Sequence, residues 1–175
     1  MSKTVRCLLL ITTLVALAGC GVKNTVQQWI GLGGPESSAY SGPVYPPTQT
    51  AGVAFQPAQV GRTCRVFAEA LVQFPAKSSG RDMETTILAE AMARGADQVL
   101  IGQTRQSKDD KGPSFLYLGP VHEYTCADQC GGWKFGFETW EKQGDWVSVG
   151  YREWGKASVV FEPPLIMQMV MLRCQ

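Results

Sequence analysis

Arg81-Asp82-Met83-Glu84-Thr85-Thr86-Ile87-Leu88-Ala89-Glu90-Ala91-Met92-Ala93-Arg94-Gly95-Ala96-Asp97-Gln98-Val99-Leu100 is the stretch that decides the fold. Met83, Ile87, Leu88, Ala91 and Met92 recur at helical spacing and form one apolar stripe. Asp82 and Glu84 fall in the first turn, where the helix dipole favours negative charge, and Arg94 falls in the last. Gly95 is placed to end the helix as a left-handed cap, and Val99 to Gly102 then reads as a buried strand. On the other side of the helix, Thr63 to Phe74 is a long strand candidate with Cys64, Val66, Ala68, Ala70 and Val72 on one face, broken by Pro75, Lys77, Ser78 and Gly80. The pattern is strand, helix, strand.

Outward from this unit, Val53 to Phe55 predicts a short strand, and Gln103 to Pro113 a polar loop carrying Lys108, Asp109, Asp110 and Lys111. Phe115 to Leu118, Trp133 to Phe137, Asp145 to Arg152 and Ala157 to Phe161 read as further strands, with Gly155-Lys156 as a hairpin turn. Leu165 to Leu172 is apolar except for Gln168 and follows Pro163-Pro164. It reads as a buried central strand, with a helix as the second reading. The expectation is an α+β fold with one amphipathic helix on a mainly antiparallel sheet of about 5–7 strands, stapled by disulfides.

The first twenty residues read differently. Lys3 and Arg6 precede a nearly unbroken apolar run from Cys7 to Ala18, and small residues lead to Cys20. The uncharged stretch to Val22 is about sixteen residues, short of the roughly 20 a membrane-spanning helix needs. Leu17-Ala18-Gly19-Cys20 resembles the lipobox of bacterial lipoproteins. That resemblance implies cleavage after residue 19, a diacylglycerol on the Cys20 sulfur and often an acylated amine. Acyl chains at about 0.8 kcal/mol per buried methylene make a stable membrane anchor. In diderm bacteria an aspartate after the cysteine usually retains a lipoprotein in the inner membrane; Gly21 here implies the outer membrane, facing the periplasm.

Of the 16 basic side chains, Lys3 and Arg6 leave with the signal, so 14 face 15 acidic ones and the mature net charge is −1. No basic patch for phosphates is implied, so nucleic acid is not an expected partner. Gly21 to Thr50 is rich in Gly, Ser, Pro and Gln and reads as a flexible tether, with a root-mean-square reach of about 30 Å. The expected organisation is a cleaved signal over 1–19, lipidated cysteine and tether over 20–50, and a single periplasmic domain over 51–175.

Six cysteines are present. Cys7 is lost with the signal and Cys20 is lipidated, leaving Cys64, Cys126, Cys130 and Cys174, an even number for an oxidising compartment. Four cysteines allow three pairings. Cys126–Cys130 with Cys64–Cys174 is preferred because the second bond ties an early strand to the last; pairings that bridge each member of the close pair to a distant cysteine stay open.

Ala91 to Leu100, with a Gly-Ala-Asp turn after an alanine-rich helix face, resembles a pattern in small envelope lipoproteins, including outer-membrane stress sensors of Rcs phosphorelays. The resemblance covers about 50 residues, 52–102, and implies an α+β fold. His122, Cys126 and Cys130 stand four apart, a spacing that suits a soft metal on a helix, but Pro120 and Gly131-Gly132 bound the segment and no second histidine exists. Cys126 also occupies the place of the second histidine that His-Glu-x-x-His requires. The segment therefore reads as a disulfide-closed loop, and no metal or other cofactor is expected. Trp133, Trp140, Trp146 and Trp154 cluster in the second half with Phe135, Phe137 and Tyr151. Trp140 and Trp154, flanked by charges, are the expected exposed pair for stacking on a glycan or small ligand. The function expected is a non-enzymatic lipoprotein of the cell envelope acting through protein contacts. A glycan- or ligand-binding module is the alternative, and a thiol-redox or metal-handling protein using Cys126 and Cys130 the third.

Overall fold

The structure, a computed structural model, describes residues 40–126 and 130–174. The signal, Cys20 and most of the expected tether lie outside the described residues. Its centre is the strand read as buried: β8 (Leu165–Arg173) has every residue from Leu165 to Leu172 inaccessible. β4 (Gln98–Gln106) and β2 (Arg65–Phe74) flank it, both antiparallel to it. β1 (Gly52–Ala54) adds to β4 in parallel, while β5 (Ser114–Gly119) and the two-residue β6 (Tyr124–Thr125) pair antiparallel with β2. The result is a six-stranded mixed sheet in the order β1-β4-β8-β2-β5. The fold is α+β, and the sheet is mainly antiparallel.

Alternation along β8 sorts the core into two sides. Leu165, Met167, Met169 and Met171 face α1 (Gly80–Ala93), packing with Met83, Ile87 and Ala91 and with Ala70, Val72, Phe74, Val99 and Ile101. Ile166, Gln168, Val170 and Leu172 face the other way. A register shift between Val66 and Ala68 breaks the single face expected of β2. Cys64 and Val66 lie on the far side, and Phe67, Ala68, Ala70 and Val72 on the helix side. A bulge moves side chains across the sheet in this way.

The helix begins where its caps dictate. The Ser79 hydroxyl accepts from the Asp82 amide at 3.2 Å, and the Asp82 carboxylate accepts from the Ser79 amide at 2.8 Å. β3 (Ser78–Ser79), just before it, pairs with β7 (Val160–Phe161), all that forms of the strand expected over 157–161.

Two other expected strands are absent. Over 133–137, Trp133 has φ +44° and Gly136 φ +67°, so the chain turns and enters a short helix, α2 (Phe137–Trp140). Over 145–152 only Trp146 bridges to β4, opposite Arg105, with the Val147 amide donating to the Thr104 carbonyl. β1 is only three residues long, and this segment lies along the part of β4 that β1 does not reach.

The last eleven residues of the expected tether, 40–50, are among those described. Residues 40–50 lie on the domain: Tyr40 packs edge-on against Tyr117, Tyr45 edge-on against Phe67, and the Thr48 amide donates to the Met92 carbonyl. Arg94 lies over the Tyr40 ring and Arg173 over the Tyr45 ring, at 4.7 and 5.5 Å. Gly95, at φ +82°, is where this strap crosses the helix end; a Cβ there would sit 2.5 Å from Tyr45 Cβ. Aromatic anchoring overrides the flexible composition, and the folded unit includes 40–50.

Candidate functional site

Both preferred disulfides are present, Cys64–Cys174 and Cys126–Cys130, and all four cysteines pack on the side of the sheet away from α1. Cys126 and Cys130 are buried, whereas His122 is exposed. Among the described residues no group of three His, Cys, Asp or Glu is arranged to hold a metal, and no helix is long and apolar enough to cross a membrane.

Trp140 and Trp154 do not form a common surface. Trp140 is 3% exposed and packs with Leu71 and Ile166 on the far side of the sheet, while half-buried Trp154 packs on the helix side. Among the described residues the exposed tryptophan is Trp146, 60% accessible, whose ring meets Trp140 edge-on. Arg105 explains the exchange. Its guanidinium lies over both rings and donates to the carbonyls of Trp140 and Gly144, which fixes Trp140 inward and leaves Trp146 as the outer layer.

The far side carries an open cleft of about 430 Å³, within the range of small-molecule sites. Val170 of β8 lines it, with Glu69 of β2, Tyr124 of β6, and Cys130 and Gly132 to Phe135 of the covering loop. Trp133 and Phe135 form a corner, their ring centroids 6.0 Å apart and their planes at 64°. Two features of the sheet hold that corner. The indole of Trp133 lies against the backbone at Gly102, where any Cβ would come within about 2.5 Å of the ring. Beneath it, the Gln168 side-chain amide donates to the carbonyls of Trp133 and Phe135 at 3.1 and 3.3 Å. The buried Gln168 thus supplies hydrogen bonds that a loop without a strand partner lacks.

Glu69 and Tyr124 meet because β6 pairs with the start of β2, placing Tyr124 opposite Val66. The phenol donates to Glu69 Oε1 at 2.8 Å. Burial, and next the hydrogen bond to Glu69, push the Tyr124 phenol well above its ordinary value, so it stays a donor and fixes the carboxylate. Glu69 Oε2 accepts no protein hydrogen bond among the described residues. Lys134, exposed between the two aromatics, adds a cationic donor. The cleft therefore offers an aromatic corner, an oriented acceptor and a donor, a set suited to binding.

The strand expected over 133–137 would set Trp133 and Phe135 on one face by alternation, but that alternation does not mark the cleft, because Glu69, Tyr124 and Lys134 belong to three separate elements. A signal was present: Glu69 is the only acid in an otherwise apolar Ala68-Glu69-Ala70 run. A second opening, between Tyr40–Pro43 and Tyr117–Val121, is larger, but its two phenols already donate to the Pro43 carbonyl and Glu90. No family model matches this chain, and no curated protein or solved structure matches it either.

Proposed function

We propose that the chain is a bacterial envelope lipoprotein, exported, acylated at Cys20 and held on the outer membrane facing the periplasm, whose domain works by contact and carries out no catalysis. The observation that carries this reading is the division of the cysteines. Leu17-Ala18-Gly19-Cys20 resembles a lipobox, and the four cysteines after it are paired in two disulfides. Stable disulfides fit an oxidising compartment, which supports export. Exposed Phe137, Trp146 and Tyr151 support work through protein contact in envelope structure, assembly or sensing.

Metabolic labelling with a clickable palmitate, followed by membrane fractionation, tests the anchor. The wild type is expected to take up label and sediment with outer membranes, and Cys20→Ser to do neither. Equal labelling of Cys20→Ser, or an unlabelled wild type in the soluble fraction, refutes the reading.

A further inference from the structure

The geometry points to a saccharide site in the cleft between the Trp133–Phe135 corner and the Glu69–Tyr124 pair, taking a short neutral glycan. This goes beyond the protein-contact reading by giving one surface a ligand of its own. Sugar rings present apolar C–H faces that pack on aromatic rings and hydroxyls that need both acceptors and donors. Trp133 and Phe135 provide the first, held in place by Gly102 and Gln168. Glu69 Oε2 provides an acceptor, Tyr124 keeps that carboxylate aimed, and Lys134 provides a donor.

The main rival for an aromatic corner with a carboxylate is a quaternary ammonium or other cation. Lys134 decides between them, because an ammonium lining the same cleft repels a cationic ligand and assists a hydroxylated neutral one. The volume of about 430 Å³ and the open mouth suit a segment of a longer chain.

The test titrates the full-length protein in detergent with two neutral probes, the β-1,4-linked tetramer of N-acetylglucosamine and maltotetraose, and separately with tetramethylammonium. Calorimetry reads affinity, and the indole resonance of Trp133 reads location. Expected are saturable binding of at least one tetramer, movement of the Trp133 resonance, and affinity lowered about fivefold by Glu69→Gln and by Lys134→Ala. Lys156→Ala, outside the cleft, is expected to bind as wild type. Neither tetramer binding, a Trp133 resonance that stays still, affinity unchanged in both cleft variants, or tetramethylammonium binding that strengthens in Lys134→Ala overturns the proposal. Palmitate labelling is indifferent to these outcomes, so the anchor and the cleft fail separately.

Discussion

The two sides of the sheet are covered by different means. On one side a fourteen-residue helix with its own hydrogen bonds buries Met83, Ile87 and Ala91 against the methionines of β8, and no disulfide is involved. On the other side the covering chain over 130–136 has almost no regular structure, and both disulfides and the Gln168 amide are concentrated there. The difference teaches where crosslinks are needed. A helix satisfies its backbone internally and needs only an apolar stripe, whereas a loop laid over a core must find outside partners for its amides and has fewer packed atoms per residue.

Removing the long crosslink is the strongest way to break this contrast. Cys64 and Cys174 are 110 residues apart, so in the chain-entropy view their bond contributes about 5 kcal/mol. Replacing both by alanine is expected to lower stability by that amount, a large share of the roughly 5–15 kcal/mol typical of a domain, as read from urea midpoints. A loss under 1 kcal/mol would mean that packing alone holds the far side. Ile87→Ala is the matching lesion on the helix side, expected to cost about 3 kcal/mol because a fully buried side chain leaves a cavity. Cys126 and Cys130 close a much shorter loop, so replacing both with serine is expected to cost about 2 kcal/mol. Hydrogen exchange should confine that effect to the residues around 124–136; protection lost first in α1 would count against the separation of the two sides.

The same contrast explains what the sequence made legible. α1 was readable because its apolar residues recur at helical spacing, β2 because a strand-length apolar run ends at Pro75, and β8 because a nearly continuous apolar run of strand length follows Pro163-Pro164. Residues 133–137 and 145–152 also alternate, but alternation records which side chains point inward and says nothing about whether the backbone has a strand beside it. Trp133 and Phe135 do pack against the core, yet their carbonyls are satisfied by Gln168 rather than by a neighbouring strand. The strap over 40–50 was hidden for a related reason. Its three prolines and Gly42 describe a loop correctly, while its docking depends on Arg94 and Arg173, which meet Tyr40 and Tyr45 only in the folded chain. Trp140 was misplaced because Glu141 beside it suggested solvent, whereas the residue that fixes it inward, Arg105, is on β4.

Acid provides the gentlest probe of the helix side, acting through its first turn. The Ser79 hydroxyl, and next its backbone amide, hold the Asp82 carboxyl below the ordinary carboxylate value. A carboxyl whose folded value is depressed stabilises the fold fully above its unfolded value of about 3.9, and that contribution fades as the pH falls below it through the folded value. Asp82→Ala removes the carboxylate half of the capping box and leaves the Ser79 hydroxyl on the residue-82 amide, so it is expected to be about 0.5 kcal/mol less stable than wild type at pH 7, with the gap closing as the solution is taken below pH 4. Denaturation midpoints of the two proteins along that pH series check it, and a gap that stays constant or widens on acidification would show that the Asp82 charge is not what stabilises the first turn. Hydrogen exchange at Met83 and Glu84 should rise in the same acid window while the chain over 130–136 is unchanged, since those residues include no carboxylate. Reductant should do the reverse, opening the loop and sparing the first turn of α1. The two covers would then be released by two independent chemical levers, as expected if one is held by a helix and its cap and the other by crosslinks.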